Sequence, residues 1–223
     1  FPKNKRAQQG LAALNKPIQP ATTQGPPQET INKLVNLYNQ GQLTAAVEQA
    51  QALTEQYPGA FIIWNILGAA SKGLGKTVEA SAAFKKVTEL NPNYADGFNN
   101  FGVTLQEQGK LNEAIASYNK ALAIKPDYAE AFNNIGNALQ SQGKLAEAIA
   151  SCNKALSLKP DYAEAFNNIG NALQSQGKLE EAIASYNKAL SLKPDYADAY
   201  NNMGNALKDQ GKLDEAIEAY NKA

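Results

Sequence analysis

The chain has 223 residues and a formal net charge of zero, from 21 basic and 21 acidic side chains. A nucleic-acid partner needs a basic surface that neutralises phosphates, and this balance argues against one. Histidine is absent, which excludes imidazole general bases, Ser-His-Asp triads and histidine metal ligands. No apolar run reaches the roughly 18 residues of a membrane-spanning helix, so we expect no membrane partner.

Residues 1–26 differ in composition from the rest of the chain. They carry four positive charges and no negative charge, and Leu11 and Leu14 have the spacing of a short helix. Four prolines between Lys16 and Gln28 exclude a helix there and favour an extended linker. We therefore predict a basic short helix and a proline-rich linker, and we expect the chain, which does not begin with methionine, to be a fragment.

From Pro27 onward the sequence repeats every 34 residues, and residues 129–162 and 163–196 are identical except at two positions. A fixed period of this length predicts a solenoid, in which each unit buries its apolar face only against its neighbours. We place six repeats, the last one incomplete, at residues 27–60, 61–94, 95–128, 129–162, 163–196 and 197–223.

Each repeat has the pattern of two helices. In repeat five, apolar residues at helical spacing run from Phe166 to Leu173, and Gly177 then supplies the left-handed conformation that ends a helix. A second helical pattern follows and ends before Pro194. Asp161, with an acid three residues later, predicts a cap at the start of the first helix. The sequence therefore predicts an all-α fold of stacked helical hairpins.

Small residues recur inside these helices. A glycine such as Gly170 costs about 1 kcal/mol relative to alanine in a helix interior, so we expect a close helix contact there, with Ala182 opposite. The single cysteine, Cys152, stands at a position that is tyrosine in neighbouring repeats, for example Tyr186. It has two interpretations, a reactive thiol or, as we favour, a small buried residue. We predict no catalytic residue, no metal site and no cofactor.

Repeat five carries a sequence pattern that resembles the tetratricopeptide repeat (TPR). The matching residues are Phe166, Ile169, Gly170, Leu173, Gly177, Ala182, Tyr186 and Pro194. The resemblance implies a right-handed α-solenoid whose first helices line a concave groove, and a scaffold that binds peptides or proteins and is not an enzyme. The repeated NNxGNAL segment looks especially like the TPR arm of O-linked N-acetylglucosamine transferase, and like bacterial TPR arrays fused to transferase domains. Repeat one lacks the internal glycine, which suggests an end repeat with a modified outer face.

The first helices carry asparagines in register, although asparagine is a mediocre helix former. An amide both donates and accepts, so a row of amides can hold the backbone of an extended peptide. In the transferase arm that the sequence resembles, asparagines at the positions of Asn100, Asn134, Asn168 and Asn202 bind the peptide backbone in this way. The predicted peptide-binding residues are Asn100, Asn134, Asn168 and Asn202, with Asn137, Asn171 and Asn205 one turn later.

A structural alternative is that these asparagines bond to the adjacent hairpin and orient the repeats. We assign that role to the preceding row, which comprises Asn99, Asn133, Asn167 and Asn201. The carboxylate clamp of chaperone-binding TPR proteins needs lysine and arginine on the first helices. Arginine is absent after residue 26, so we expect no binding of acidic chaperone tails.

We predict a protein–protein interaction scaffold that binds an extended peptide or partner segment in an asparagine-lined groove. Two alternatives remain open. The chain is a non-catalytic, substrate-selecting arm of a larger transferase, or it is a self-assembling module that associates through its ends or its N-terminal tail. The sequence does not identify the partner or the biological process.

Overall fold

The computed structural model describes residues 25–223, which form twelve α-helices and no strand within that range. The predicted short helix and most of the predicted linker lie outside the described residues. The helices are α1 (Gln28–Asn39), α2 (Leu43–Gln56), α3 (Phe61–Gly73), α4 (Thr77–Leu90), α5 (Ala95–Glu107), α6 (Leu111–Ile124), α7 (Ala129–Ser141), α8 (Leu145–Leu158), α9 (Ala163–Ser175), α10 (Leu179–Leu192), α11 (Ala197–Asp209) and α12 (Leu213–Tyr220).

Glycine ends the first helix of every repeat, as the sequence predicts. In repeat three, Gly109 has a φ of 73°, its N–H donates to the carbonyl of Gln106, and the N–H of Lys110 donates to the carbonyl of Leu105. These two bonds form a Schellman motif and satisfy carbonyls that would otherwise lack a partner. The equivalent glycines have φ between 71° and 80°, and they are Gly41, Gly75, Gly143, Gly177 and Gly211.

The predicted caps at the start of the first helices are wrong. The residue before α9 is Tyr162, not an acid, and no side chain caps that helix. Asp161 lies one residue too early to reach the first-turn amides, so its carboxylate does not form the predicted bond. Glu164 lies in the first turn, where a negative charge is favourable because of the helix dipole.

Consecutive helices pack along the whole described chain, which confirms the predicted all-α solenoid. Neighbouring first helices also touch one another, as α7 and α9 do, except for α3 and α5, whereas the second helices make no comparable contact. The first helices are therefore closer together and line the inner face of the stack, and the second helices form the outer face. This inner face comprises the exposed sides of α1, α3, α5, α7, α9 and α11.

The internal glycines of repeats two, three, five and six receive an aromatic ring from the second helix, and that of repeat four receives the side chain of Cys152. A Cβ added at Gly170 would overlap the ring of Tyr186, which is fully buried. The prediction of close contact was right, but the ring, more than Ala182, requires the glycine. In repeat one the large and the small side chain are exchanged between the two helices. Leu34 occupies the glycine position and Ala50 the aromatic position, and both have 0% exposure. Volume is conserved across the hairpin in this way.

Candidate functional site

The four predicted ladder asparagines lie at equivalent positions on the inner face. Each side chain is half-buried, so part of the amide reaches solvent. We call these residues the ladder asparagines, namely Asn100, Asn134, Asn168 and Asn202. The residue before each of the first three is buried, with 8%, 6% and 5% exposure, and we call these the buried asparagines, namely Asn99, Asn133 and Asn167.

Hydrogen bonds join the two rows between successive repeats. The Nδ2 of Asn134 donates to Oδ1 of Asn99 at 3.0 Å, and the pairs Asn168–Asn133 and Asn202–Asn167 repeat this bond at 2.9 and 3.1 Å. One N–H of each of these three ladder amides is therefore fixed to the preceding repeat. The second N–H and the carbonyl oxygen make no side-chain hydrogen bond within residues 25–223. An amide has two donors and two acceptor lone pairs, so orienting the repeats and binding a ligand are compatible.

The row of inter-repeat bonds is interrupted between repeats two and three. Asn100 makes no side-chain hydrogen bond to any described residue, and Oδ1 of Asn65, its equivalent acceptor, is buried without a partner. The first helices α3 and α5 also lack the close contact seen between other neighbouring first helices. Asn100 therefore has its whole amide available, but it is not held in place as the other ladder asparagines are.

Two of the asparagines predicted one turn later accept hydrogen bonds from tyrosines. The hydroxyl of Tyr186 lies 2.8 Å from Oδ1 of Asn171 and 2.9 Å from Oε1 of Gln174, and Tyr220 donates to Asn205 at 2.8 Å. Burial raises the pKa of the Tyr186 hydroxyl well above its ordinary value, so it remains a protonated donor at neutral pH. Asn171 therefore satisfies a hydroxyl group that the fold buries, whereas Tyr220, the partner of Asn205, is 37% exposed.

Repeat four has no such tyrosine, and Asn137 has a different partner. Its Oδ1 accepts from Nε2 of Gln106 in the preceding repeat, and the hydroxyl of Tyr118 donates to Oε1 of the same glutamine at 2.9 Å. Sequence reasoning missed these glutamines. The signal was present, because glutamine recurs 34 residues apart at Gln106, Gln140 and Gln174.

Cys152 is 1% exposed, and burial raises the pKa of its thiol to about 12. Reactive cysteines are accessible and have a lowered pKa. The structure therefore confirms the interpretation of Cys152 as a small buried residue, and the reactive-thiol interpretation is wrong.

The acidic residues at the starts of the first helices face the ends of the second helices. Glu130 lies 3.9 Å from Nζ of Lys159, and that ammonium group also lies 4.6 Å from the centre of the Tyr162 ring. Repeat five has the same arrangement, with Glu164 and Lys193 at 3.9 Å. These pairs are nearly half exposed, so each contributes roughly 0–1 kcal/mol.

Among residues 25–223, no helix has the length and apolar character needed to cross a membrane. Within the same range, no group of three or more Cys, Asp or Glu side chains is placed to hold a metal ion.

Comparison with known proteins identifies the repeat. One family model, described as TPR repeat, matches residues 105–143, 136–177 and 170–211, and two described as tetratricopeptide repeat match residues 83–116 and 34–95. No curated protein sequence matches the chain. The likeness to the transferase arm therefore stays a prediction.

Several solved structures share the fold. The crystal structure of MamA is 31% identical, covers 70% of this chain and 91% of its own, and has a TM-score of 0.58. PilW, described as a widely conserved type IV pilus biogenesis factor, has a TM-score of 0.78 at 21% identity, with 86% and 89% covered. YrrB, described as a TPR protein with an unusual peptide-binding site, has a TM-score of 0.56 at 22% identity, with 79% and 91% covered. PilW and YrrB show the fold alone, whereas the family models together with MamA show that this chain belongs to the tetratricopeptide repeat family.

Proposed function

We propose that the chain binds an extended segment of a partner protein along the ladder asparagines of its inner face. Proteins of the TPR family are typically protein–protein interaction scaffolds, and stacked repeats present the long concave surfaces that such scaffolds use. The proposal goes further, because it names the surface and the chemical groups. It makes binding, without catalysis, the function of this chain.

The arrangement of the amides is the observation that supports this proposal. Three ladder asparagines are fixed through one N–H, and their carbonyl oxygen and second N–H have no side-chain partner within residues 25–223. A polar group that is already held in its binding orientation loses little conformational entropy when a ligand arrives. The buried asparagines therefore support the proposed site by orienting the amides that bind.

The spacing of these amides suits an extended backbone. Neighbouring packed helices are about 8–10 Å apart, and an extended chain advances about 3.3 Å per residue. The ladder therefore offers one amide for about every three residues of an extended peptide. Repeats four and five differ at only two positions, so the groove presents the same group at successive levels, which favours recognition of a repeating backbone.

The experiment uses a phage-displayed library of random peptides of about 15 residues, the extended length that spans six repeats at this spacing. Peptides selected on the protein are synthesised and their Kd is measured by fluorescence anisotropy. Replacing the ladder asparagines alone by alanine leaves the buried acceptors unpaired, which costs about 1–3 kcal/mol each. The informative variant therefore changes both rows to alanine, because removing both partners of a bond is nearly neutral for folding.

The matched control changes only the buried row, with Asn99, Asn133 and Asn167 replaced by alanine. It loses the same inter-repeat bonds but keeps the ladder amides in the groove. The proposal predicts that the variant in both rows loses peptide binding while circular dichroism shows an intact helical fold. The control should still bind, but more weakly, because its ladder amides are no longer held in place. Equal affinity for the protein and the variant in both rows would contradict it.

The self-assembly alternative and the transferase-arm alternative stay predictions. The first is tested by light scattering with and without residues 1–26, and the second by whether a transferase domain occurs in the same polypeptide.

A further inference from the structure

One row of positions on the inner face differs between the first and the second half of the array. The position one turn after the ladder asparagines is asparagine in repeats four to six. In repeats one to three, the same position is aliphatic. These residues are Val35, Ala69 and Val103 in the first half, and Asn137, Asn171 and Asn205 in the second.

Repeat two is also aliphatic at two neighbouring positions, whereas repeats one and three carry asparagine at the ladder position, Asn32 and Asn100. Ile66 occupies the ladder position, and Ile62 stands where the later repeats have an acid. Ile66 is 7% exposed because α1 covers most of it, so it presents only an edge. Val35 is 37% exposed, and Ile62 and Val103 are half-buried. We call the exposed aliphatic groups of repeats one to three the aliphatic surface. It is small, and it comprises mainly the side chains of Val35, Ile62 and Val103.

A cavity lies where the two halves meet. It has a volume of about 340 Å³ and is open to solvent between α5 and α7. Val103 and Leu111 line it together with polar side chains that include Glu107, Asn134 and Asn137. An aliphatic side chain placed against Val103 thus lies beside a ladder amide that can bond the backbone of the same ligand.

We infer that the bound segment carries branched aliphatic side chains at the end that lies over repeats one to three, and that the remainder is held mainly through its backbone. This inference rests on the proposed function, since the aliphatic surface continues the ladder groove along the same row of helices. The partner is therefore an extended peptide with an apolar anchor at one end. Recognition of this kind reads sequence at the anchor and tolerates variation beyond it.

The test uses the selected peptides and two protein variants. The inner-face variant combines Val35→Asn with Val103→Asn. It places at these two positions the asparagine that repeats four to six carry. The control is Val78→Asn, the same change at a residue of α4 on the outer face with 71% exposure. We expect Leu, Ile, Val or Met to be enriched at one end of the selected peptides with the unmodified protein and the control. That enrichment should be absent with the inner-face variant.

A second measurement does not depend on new selection. Replacing the enriched aliphatic residue of a synthetic peptide by alanine should weaken binding to the protein about tenfold, or roughly 1.4 kcal/mol. Against the inner-face variant the same replacement should have no effect, because the coupled partner is gone. A variant of Val35 alone, which is partly exposed, gives the same comparison if the double change disturbs folding.

The outcomes separate this inference from the function on which it rests. Peptides that need the ladder amides but show no aliphatic preference would overturn the inference and leave the proposed function standing. An aliphatic preference that persists in the inner-face variant would also overturn the inference and leave the proposed function standing. If no selected peptide depends on the ladder amides, the inference and the proposed function are both overturned.

Discussion

Replacing Cys152 by tyrosine should stabilise the array, because repeat four lacks a ring that its neighbours have. In repeat five, Tyr186 is fully buried against Gly170, and its hydroxyl lies within hydrogen-bond distance of Asn171 and Gln174. Repeat four keeps the glycine as Gly136, and the sulfur of Cys152 would overlap a Cβ added there. The smaller side chain thus points to the place that the ring occupies in repeat five.

The magnitude follows from the groups that are gained. Burying a large side chain contributes roughly 1.5–3 kcal/mol, and a hydrogen bond to Asn137 adds about 0.5–1.5 kcal/mol. Two contributions are subtracted from this sum. One is the burial of the Cys152 thiol, and the other is the hydrogen bond from Gln106 to Asn137, which the new hydroxyl displaces. We therefore expect Cys152→Tyr to raise the free energy of unfolding by about 1–2 kcal/mol.

The reverse change in the neighbouring repeat is the matched control. Tyr186→Cys converts repeat five to the core of repeat four and should cost about 2–4 kcal/mol, since it removes a buried ring and leaves a cavity. Urea unfolding measures both, and hydrogen exchange shows which repeat responds, because stability in a solenoid is the sum of repeat and interface contributions. A loss of stability in Cys152→Tyr, or no loss in Tyr186→Cys, would refute the argument that the ring and the glycine form one packing unit.

Three further results follow from the same contacts. Gly170→Ala should lower stability by about 1–2 kcal/mol in urea unfolding despite its better helix propensity, because the new Cβ overlaps the Tyr186 ring; unchanged stability would mean that the ring moves freely. Cys152 should react with a thiol reagent at about pH 8 only after unfolding, since its thiol is buried and its pKa is raised; rapid reaction in the native protein would contradict this. Burial raises the pKa of Tyr162 and Tyr196 to about 12, above the ordinary 10.0. The unfolded phenols lose their protons first, so stability should fall as pH rises from about 10 to 12. Ultraviolet titration would contradict this if all tyrosines ionised near their ordinary pKa in the folded chain.

The sequence was sufficient for the fold because local signals fix it. Gly177 ends α9 and Pro194 follows the end of α10, and both effects act within one turn of the chain. The cap predicted at Asp161 failed for a local reason as well, because the helix begins one residue later than a cap at that position requires. A shift of one residue is within the usual uncertainty of helix ends, but it decides whether a side chain reaches the first-turn amides.

The hydrogen bonds of the candidate site could not be predicted in the same way. The bond from Asn134 to Asn99 joins helices of successive repeats, so it depends on how far the hairpins are rotated relative to each other. The 34-residue period of the sequence shows that both asparagines recur, but it does not show that their side chains contact each other. The ring of Tyr186 on Gly170 is a similar case, because sequence spacing suggested Ala182 as the neighbour and the direction of the longer side chain decided the contact.

An ester scan of a selected peptide tests most directly whether ladder amides hold a backbone. Each ester replaces one backbone N–H by oxygen and leaves every side chain unchanged. The account predicts a loss of about 2- to 10-fold in affinity, or 0.5–1.5 kcal/mol, at each ester that faces a ladder asparagine. These losses should recur about every third residue over repeats three to six. Uniform affinity across the ester scan, with all sensitivity in an alanine scan of the side chains, would contradict it.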